Sequence, residues 1–299
     1  MHRLPYSLNI DKMTSFVIFG ANGLLGRSLV AGLRNQGHTV VPIVRDDLDI
    51  FDFNALYNLV HKYDDSTLIN CIAHMPADKC ELEPLISQKV NVDFVESLVK
   101  VMSGNPKQRL IQFSSDFVFD GENTKPYLEN SSPNPLNVYG SHKHEAEKIV
   151  VEKLDGQGQI IRFASLISHS IERKTFLEKV IDRALKTGKA GVVGDLTIST
   201  ATSDLIQTAV LLSPKIDSKI LHAVHGGETS WFEIAQCAFS TLEIDVPIEK
   251  LKSNEFITPA KRPRYSVLSP TPEIFQSDSR AWDEAVRQYV LANFKLDER

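Results

Sequence analysis

The stretch that decides the fold is Ser15-Phe-Val-Ile-Phe-Gly20-Ala-Asn-Gly23-Leu-Leu-Gly26-Arg-Ser-Leu-Val-Ala-Gly-Leu33. A β-rich run, Ser15–Phe19, leads into three glycines spaced three apart. An amphipathic pattern follows, with Leu25, Leu29, Val30 and Leu33 on one face. In a strand, tight turn and helix of this kind, the helix N-terminus offers free N–H groups and partial positive charge to phosphates. Gly20 permits the sharp turn, Gly23 lets a pyrophosphate approach the backbone, and Gly26 lets the helix pack close to the strand. Three glycines can also serve a bare turn, but this context favours a dinucleotide.

Working outward, the same rhythm continues. Strands are expected at 39–44, 67–72, 109–114 and 159–163. Between them, Leu56, Leu59, Val60 and Tyr63 share a helical face, as do Val92, Val95, Val99 and Met102. A further helix is expected over 138–154, with Ala146, Ile149 and Val150 inward. Strands alternating with helices predict an α/β fold, a parallel sheet covered on both faces and doubly wound through right-handed crossovers. After about residue 164 the rhythm breaks. A helical stretch near 174–186, a Gly-rich strand-like segment at 190–194 and a strand at 221–224 are expected. The Ser230-Trp-Phe-Glu233 capping box opens a helix, and Pro259, Pro263, Pro270 and Pro272 mark loops. The reading is a dinucleotide-binding domain over 14–164, to which later strands return from about 195–225. Residues 165–299 then form mainly a smaller, irregular substrate lid.

Composition narrows the class. Of 299 residues, 42% are hydrophobic and 24% charged, which excludes a disordered or fibrous chain. Thirty-three basic against 38 acidic residues give a net charge of −5, a poor field for nucleic acid. No apolar run is long enough for a membrane span. The first dozen residues do not form a secretory signal, and Met13 is an alternative start. Cys71, Cys80 and Cys237 are too few and scattered for a disulfide framework or a zinc site, so a reducing cytoplasm is expected.

Tyr139-Gly-Ser-His-Lys143 sets a phenol and an ammonium at i and i+4 of a helix. A phenol's ordinary pKa of about 10 is high for acid/base work near neutrality, and a close ammonium favours the phenolate. Lys143 would be that charge and would also reach a nicotinamide ribose. Ser115 stands at the end of the 109–114 strand, facing the same crevice as the glycine turn, because ligands bind beyond the carboxyl ends of parallel strands. Taken alone, Tyr-x-x-x-Lys is an ordinary helix pair; with Ser115 and the glycine turn it becomes an acid/base site. Arg45, after the second strand, either meets the 2′-phosphate of NADP or is a solvated residue flanked by Asp46 and Asp47. NADP is preferred over NAD. Histidines 74, 142 and 144 are read as surface residues and no metal is expected.

These residues resemble the extended short-chain dehydrogenase/reductases, and among them the dTDP-4-dehydrorhamnose reductase family. Ser114-Ser-Asp-Phe-Val-Phe-Asp-Gly121 is similar to the family's Ser-Thr-Asp-Tyr-Val-Phe-Asp-Gly. Asn70 to Glu81, Leu48-Asp-Ile-Phe-Asp52, Tyr139 to Glu147, Gly226 to Trp231 and Arg262 to Leu268 resemble further family segments. The resemblance implies a Rossmann-type fold and reduction of a nucleotide-activated 4-keto-6-deoxysugar. It implies that Gly20, Asn22, Gly23, Leu24, Leu25 and Gly26 hold the pyrophosphate side of the cofactor. Asp49 and Ile50 would sit by the adenine and Ala73 by the ribose. Ser115, Tyr139 and Lys143 would be catalytic, the last two also touching the cofactor. Asp116, Phe117, Arg262 and Arg264 would face the substrate. A homodimer is also implied.

The sequence departs from that pattern where Phe117 replaces a Tyr, where His74-Met75-Pro76 replaces Tyr-Thr-Ala, and where 195–202 lacks a Pro-Thr. Phe117 also leaves a 4,6-dehydratase without its carboxylic acid. Epimerases lack the Asp-Gly end of the signature. The alternative from another class is a non-catalytic regulatory subunit similar to that of methionine adenosyltransferase.

Overall fold

The computed structural model describes residues 14–168, 175–255 and 257–294. The chain start, the reading of Met13, and Lys174 at the head of the expected 174–186 helix lie outside them. The first half alternates as follows: β1 Ser15–Phe19, α1 Leu24–Asn35, β2 Thr39–Ile43, α2 Phe53–Lys62 and β3 Thr67–Asn70. Two short helices, α3 Ala77–Leu82 and α4 Pro84–Gln88, then lead through a π-helical turn, Lys89–Asp93, into α5 Phe94–Met102. β4 Arg109–Ser115, α6 Val138–Lys153 and β5 Gly158–Phe163 complete it.

The second half is shorter in stride. It contains β6 Leu166–Ile167, α7 Phe176–Thr187, β7 Ala190–Val193, β8 Ala201–Thr202, α8 Ser203–Leu212 and β9 Ile220–His222. Then come α9 Trp231–Thr241, β10 Ile248–Leu251, α10 Pro272–Ser277 and α11 Trp282–Asn293.

Six strands form one parallel sheet in the order β2-β1-β3-β4-β5-β9. Strand residues alternate between its two faces. Phe16 and Ile18 of β1 join one core cluster with Leu29 of α1 and Leu205 of α8. Val17 and Phe19 join the other with Leu56 of α2, Leu98 of α5 and Val150 of α6. Strands buried on both faces read as continuous apolar runs, which is why the expected strands were visible. β2 and β3 flank β1, so the order reverses beside β1, and a crevice opens there at the strands' carboxyl ends. The second half of the chain has its own core, where Ile234 and Ala238 of α9 meet Val286 and Val290 of α11. Two small parallel pairs, β7 with β10 and β6 with β8, brace it.

Two expectations are corrected here. The strand placed at 221–224 is Ile220–His222. Pro272, read as a loop marker, is the first residue of α10, where a missing N–H costs nothing.

Candidate active site

A cavity of about 810 Å³ lies over the carboxyl ends of β1, β3, β4 and β5. Its wall takes Gly23, Leu24 and Leu25 from the glycine turn, Ala73 from beyond β3, and Ser115, Asp116 and Phe117 from the end of β4. Tyr139 and Lys143 come from α6, and Leu196, Trp231 and Arg262 from the second half of the chain close it.

The glycine turn is built as its sequence requires. Gly20 has φ +75°, a conformation that side chains with a Cβ rarely adopt. A Cβ on Gly26 would run into the Gly20 carbonyl oxygen, so α1 can approach β1 this closely only at glycine. Gly23 is the N-cap of α1, with no side-chain cap and no acidic residue in the first turn. The helix N-terminus therefore keeps its N–H groups and positive end for an anion, which fits a dinucleotide pyrophosphate. Asn22 offers its carbonyl to Arg27 Nε at 2.8 Å. Arg45 is exposed beyond β2, and Asp47 turns back to accept from Val44 N at 2.9 Å. Asp49 accepts from Phe51 N at 3.0 Å, beside a half-buried Ile50. Arg45, Asp49 and Ile50 lie outside the wall of the main cavity, on the β2 side of the turn.

Helix α6 is anchored at its first turn. Asn137 Oδ1 accepts from Gly140 N at 2.8 Å, and Glu81 Oε1 accepts from Val138 N at 2.7 Å. A Cβ on Gly140 would run into the Phe117 carbonyl oxygen, so the helix start presses on the 3-10 turn Asp116–Val118. This contact sets Tyr139 edge-on to Phe117, with ring centroids 6.0 Å apart. The Lys143 ammonium stands 6.0 Å from the Tyr139 ring centre. Ser115 Oγ donates to Asp116 Oδ1 at 2.9 Å and accepts from Phe117 N at 3.2 Å. The Tyr139 hydroxyl points to Met75 Sδ at 3.9 Å. Ser115, Asp116, Tyr139 and Lys143 are all buried.

Burial dominates the electrostatics. It lowers Lys143 to about 8, with Glu147 opposing. It raises Asp116 to about 6, against hydrogen bonds from Ser266 and Ser115. It also pushes the Tyr139 phenol above its ordinary value, helped by the charges of Asp116 and Cys80, while the Ser115 hydroxyl draws it down. The expected lowering of Tyr139 by Lys143 is thus overturned in this structure. The ammonium lies over the ring, 6.0 Å from its centre, and burial of the phenol sets the direction.

The substrate-side residues divide. Phe117 and Asp116 line the cavity, and Phe117 with Met75, Pro76 and Leu166 gives it an apolar flank. Arg262 lines it too, but its guanidinium is held by Asp78 through bonds of 2.8 and 2.6 Å. Arg264 is exposed and lies outside the cavity wall. Trp231 packs on Phe176 at 4.5 Å within the lid core while also touching the cavity. His74, His142 and His144 are half-buried rather than surface residues, near Glu83 Oε2 at 3.0 Å, Ser87 Oγ at 2.8 Å and Glu147 at 3.5 Å respectively. No group of three or more metal-binding side chains occurs among the described residues. Asp120, at the end of the Ser114–Gly121 signature, is a loop tie, accepting from Tyr127 Oη at 2.8 Å and Asn134 Nδ2 at 2.9 Å. Sequence reasoning missed Asp78, Glu147 and Ser266 as partners of site residues. Only Glu147 carried a signal, its place in Tyr-x-x-x-Lys-x-x-x-Glu.

Residues 13–294 match the family described as the RmlD substrate binding domain. A dTDP-4-keto-6-deoxy-D-glucose reductase of Streptomyces niveus is 32% identical over 282 residues, covering 91% of this chain and 95% of that protein. A dTDP-4-dehydrorhamnose reductase of Streptomyces griseus is 32% identical over 260 residues, covering 85% and 84%. The crystal structure of a dTDP-4-dehydrorhamnose reductase from Clostridium acetobutylicum superposes with a TM-score of 0.86 at 28% identity, covering 93% of this chain and 99% of that one.

Proposed function

Because the chain belongs to the RmlD substrate binding domain family, we propose that it is an NAD(P)H-dependent reductase of a nucleotide-activated 4-keto-6-deoxysugar, with NADPH preferred. One observation carries this reading: the glycine turn, Ser115, Tyr139 and Lys143 open onto a single cavity. The named relatives at 32% identity are reductases of such sugars, which favours catalysis over a regulatory role. In this reading residues 14–164, with β9 added to their sheet, form the dinucleotide-binding part, and most of the remainder forms the substrate lid.

When bound, a reduced nicotinamide cofactor would supply the hydride, and Ala73 would line its ribose. The chain's own residues handle the oxygen and the proton. Tyr139 gives its phenolic proton to the oxygen of the reacting carbonyl. A phenol held above its ordinary pKa is fully protonated at neutral pH, as a proton donor must be. The Ser115 hydroxyl turns from Asp116 to hydrogen-bond that oxygen as charge develops. The Lys143 ammonium stabilises the phenolate left behind, in a buried site where its charge is little screened. The α1 N-terminus would hold the cofactor's pyrophosphate, and Arg45 would meet a 2′-phosphate. Asp116 and Phe117 flank the sugar, and Arg262, with Asp78, borders its diphosphate side. The substrate role expected of Arg264 is not retained.

A homodimer is part of the same proposal, supported by the exposed Leu82, Leu85 and Ile86. So is a cytoplasmic setting, supported by three free thiols. Among the described residues no helix is long and apolar enough to cross a membrane.

The test is NADPH oxidation with dTDP-4-keto-6-deoxyglucose. Tyr139→Phe is expected to lower kcat by roughly 10²–10⁴-fold while cofactor binding, followed by fluorescence, persists. Equal rates in the two proteins would defeat the mechanism.

A further inference from the structure

Asp116 is 4% exposed, and each of its carboxylate oxygens takes one hydroxyl. Oδ1 accepts from Ser115 Oγ at 2.9 Å, and Oδ2 accepts from Ser266 Oγ at 2.6 Å. Ser115 ends β4 of the sheet. Ser266 lies in the lid, 150 residues from Asp116 along the chain. Ser266 is fully buried, and its N–H donates to Thr197 O at 2.8 Å, so its hydroxyl is fixed by the lid backbone.

The Ser115 hydroxyl has one proton to give. An ionised Asp116 keeps that hydroxyl fixed at the cavity wall, poised to turn to a substrate oxygen, so the state of Asp116 governs where Ser115 points. We propose that Ser266 is a positioning residue: its hydrogen bond sets the charge and orientation of Asp116, and through Asp116 the aim of the Ser115 hydroxyl. Seating of the lid is thereby felt at the reacting centre. The inference rests on the reading of Ser115 as the group that hydrogen-bonds the reacting carbonyl.

The charge logic follows from the surroundings of Asp116. Tyr139 on α6 faces it and feels its charge. Lys143 stands a turn further along α6, and Arg262, from the lid, is bound to Asp78. Ser266 is the lid's hydrogen-bond donor to Asp116 among the described residues, so burial of the carboxylate is offset by two hydroxyls. Removing one raises the pKa of Asp116 further. A protonated Asp116 no longer holds Ser115 as an ionised acceptor does.

Ser266→Ala removes the donor, Ser266→Cys keeps the volume but donates weakly, and Ser266→Thr keeps the hydroxyl. For the full-length proteins, pH profiles of kcat and KM with NADPH and dTDP-4-keto-6-deoxyglucose are measured. Alongside them, a ¹³C NMR titration follows the aspartate carboxyl carbons, with the Asp116 signal assigned by its loss in Asp116→Asn. The Ala and Cys variants are expected to lose about tenfold in kcat at pH 7 with little change in KM. Their acid limb and the Asp116 titration should move to higher pH, and Thr should restore both. An unmoved limb and an unmoved titration in Ser266→Ala would overturn the proposal even if activity fell, because that is the pattern of a purely structural residue. The NMR titration needs no turnover. A wild type that reduces no keto sugar would defeat the proposed function, while the titration would still decide the Ser266–Asp116 coupling.

Discussion

Glu147 and Asp116 are both buried carboxyls, and their partners drive them apart. Burial works to raise Glu147, but the bonds and charge of Arg162 outweigh it and hold the carboxyl at about 2. The two side chains are 2% and 1% exposed and share two bonds of 2.7 Å. Asp116, with no cation bound to it, is raised by burial to about 6 against the hydroxyl and backbone donors around it. Breaking a buried ion pair from one side leaves an uncompensated charge. Glu147→Gln is therefore expected to lose about 3–5 kcal/mol of unfolding free energy in urea titration. The double change Glu147→Gln with Arg162→Met should recover much of that loss, and a single variant as stable as wild type would refute the account. Legibility at this scale was uneven. Tyr139 and Lys143 are spaced along one helix, so their juxtaposition is written in the sequence. Arg162 and Asp78 meet their partners across elements, and no local pattern records such pairs. Arg262 could thus be placed at the cavity from its segment while its engagement with Asp78 stayed hidden.

Among the elements, β1, the glycine turn and α1 were fully legible, because each needs a residue type that little else can supply. Gly26 is the sharpest case. A Cβ there meets backbone, the Gly20 carbonyl and Ala21 Cα, not a flexible side chain that could move aside. Gly26→Ala must push α1 away from β1 and displace the helix N-terminus from the crevice. The expected outcome is a lower Tm and NADPH binding weakened by tenfold or more, read by fluorescence titration. Unchanged affinity would remove the pyrophosphate from this helix end. Other elements escaped the sequence for physical reasons. α3 and α4 are too short for a helical period to emerge, and they expose Leu82 and Leu85 where a buried face would be sought. β6 and β8 are two residues each, and β7 finds β10 across 54 residues of intervening chain. Such pairings arise from lid packing and leave no alternation to read.

At the scale of the whole molecule, two buried histidines, on and just beyond β9, tie the sheet to the Ser269 loop and to β8. His222 Nδ1 lies 3.0 Å from Ser269 O and its Nε2 lies 3.4 Å from Arg162 Nη1, so the neutral ring donates to the carbonyl and accepts from the guanidinium. His225 Nε2 lies 2.8 Å from Thr202 Oγ1 of β8. Burial, with the Arg162 charge, lowers His222 to about 3. Burial lowers His225 to about 4 against the nearby Asp278. Between about pH 4 and 6 the unfolded chain protonates both rings and the folded protein neither. Asp116, raised to about 6, works the other way, because there the folded protein holds one proton that the unfolded chain releases. Two protons gained by the unfolded state against one by the folded state leave a net of one. Stability should therefore fall as pH drops from 6 to 4, these three groups contributing about 1.4 kcal/mol per pH unit and the lowered His38 and His142 adding to it. Glu147 contributes stability above its unfolded value near 4.5, and this is lost only as pH falls toward about 2, so it steepens the decline at the acid end. His222→Asn removes one titrating ring and keeps a donor. It should be less stable than wild type at pH 7 yet decline less steeply from pH 6 to 4. Urea unfolding at half-unit pH steps measures both slopes, and parallel curves for the two proteins would show that His222 does not tie acid stability to the joint between sheet and lid.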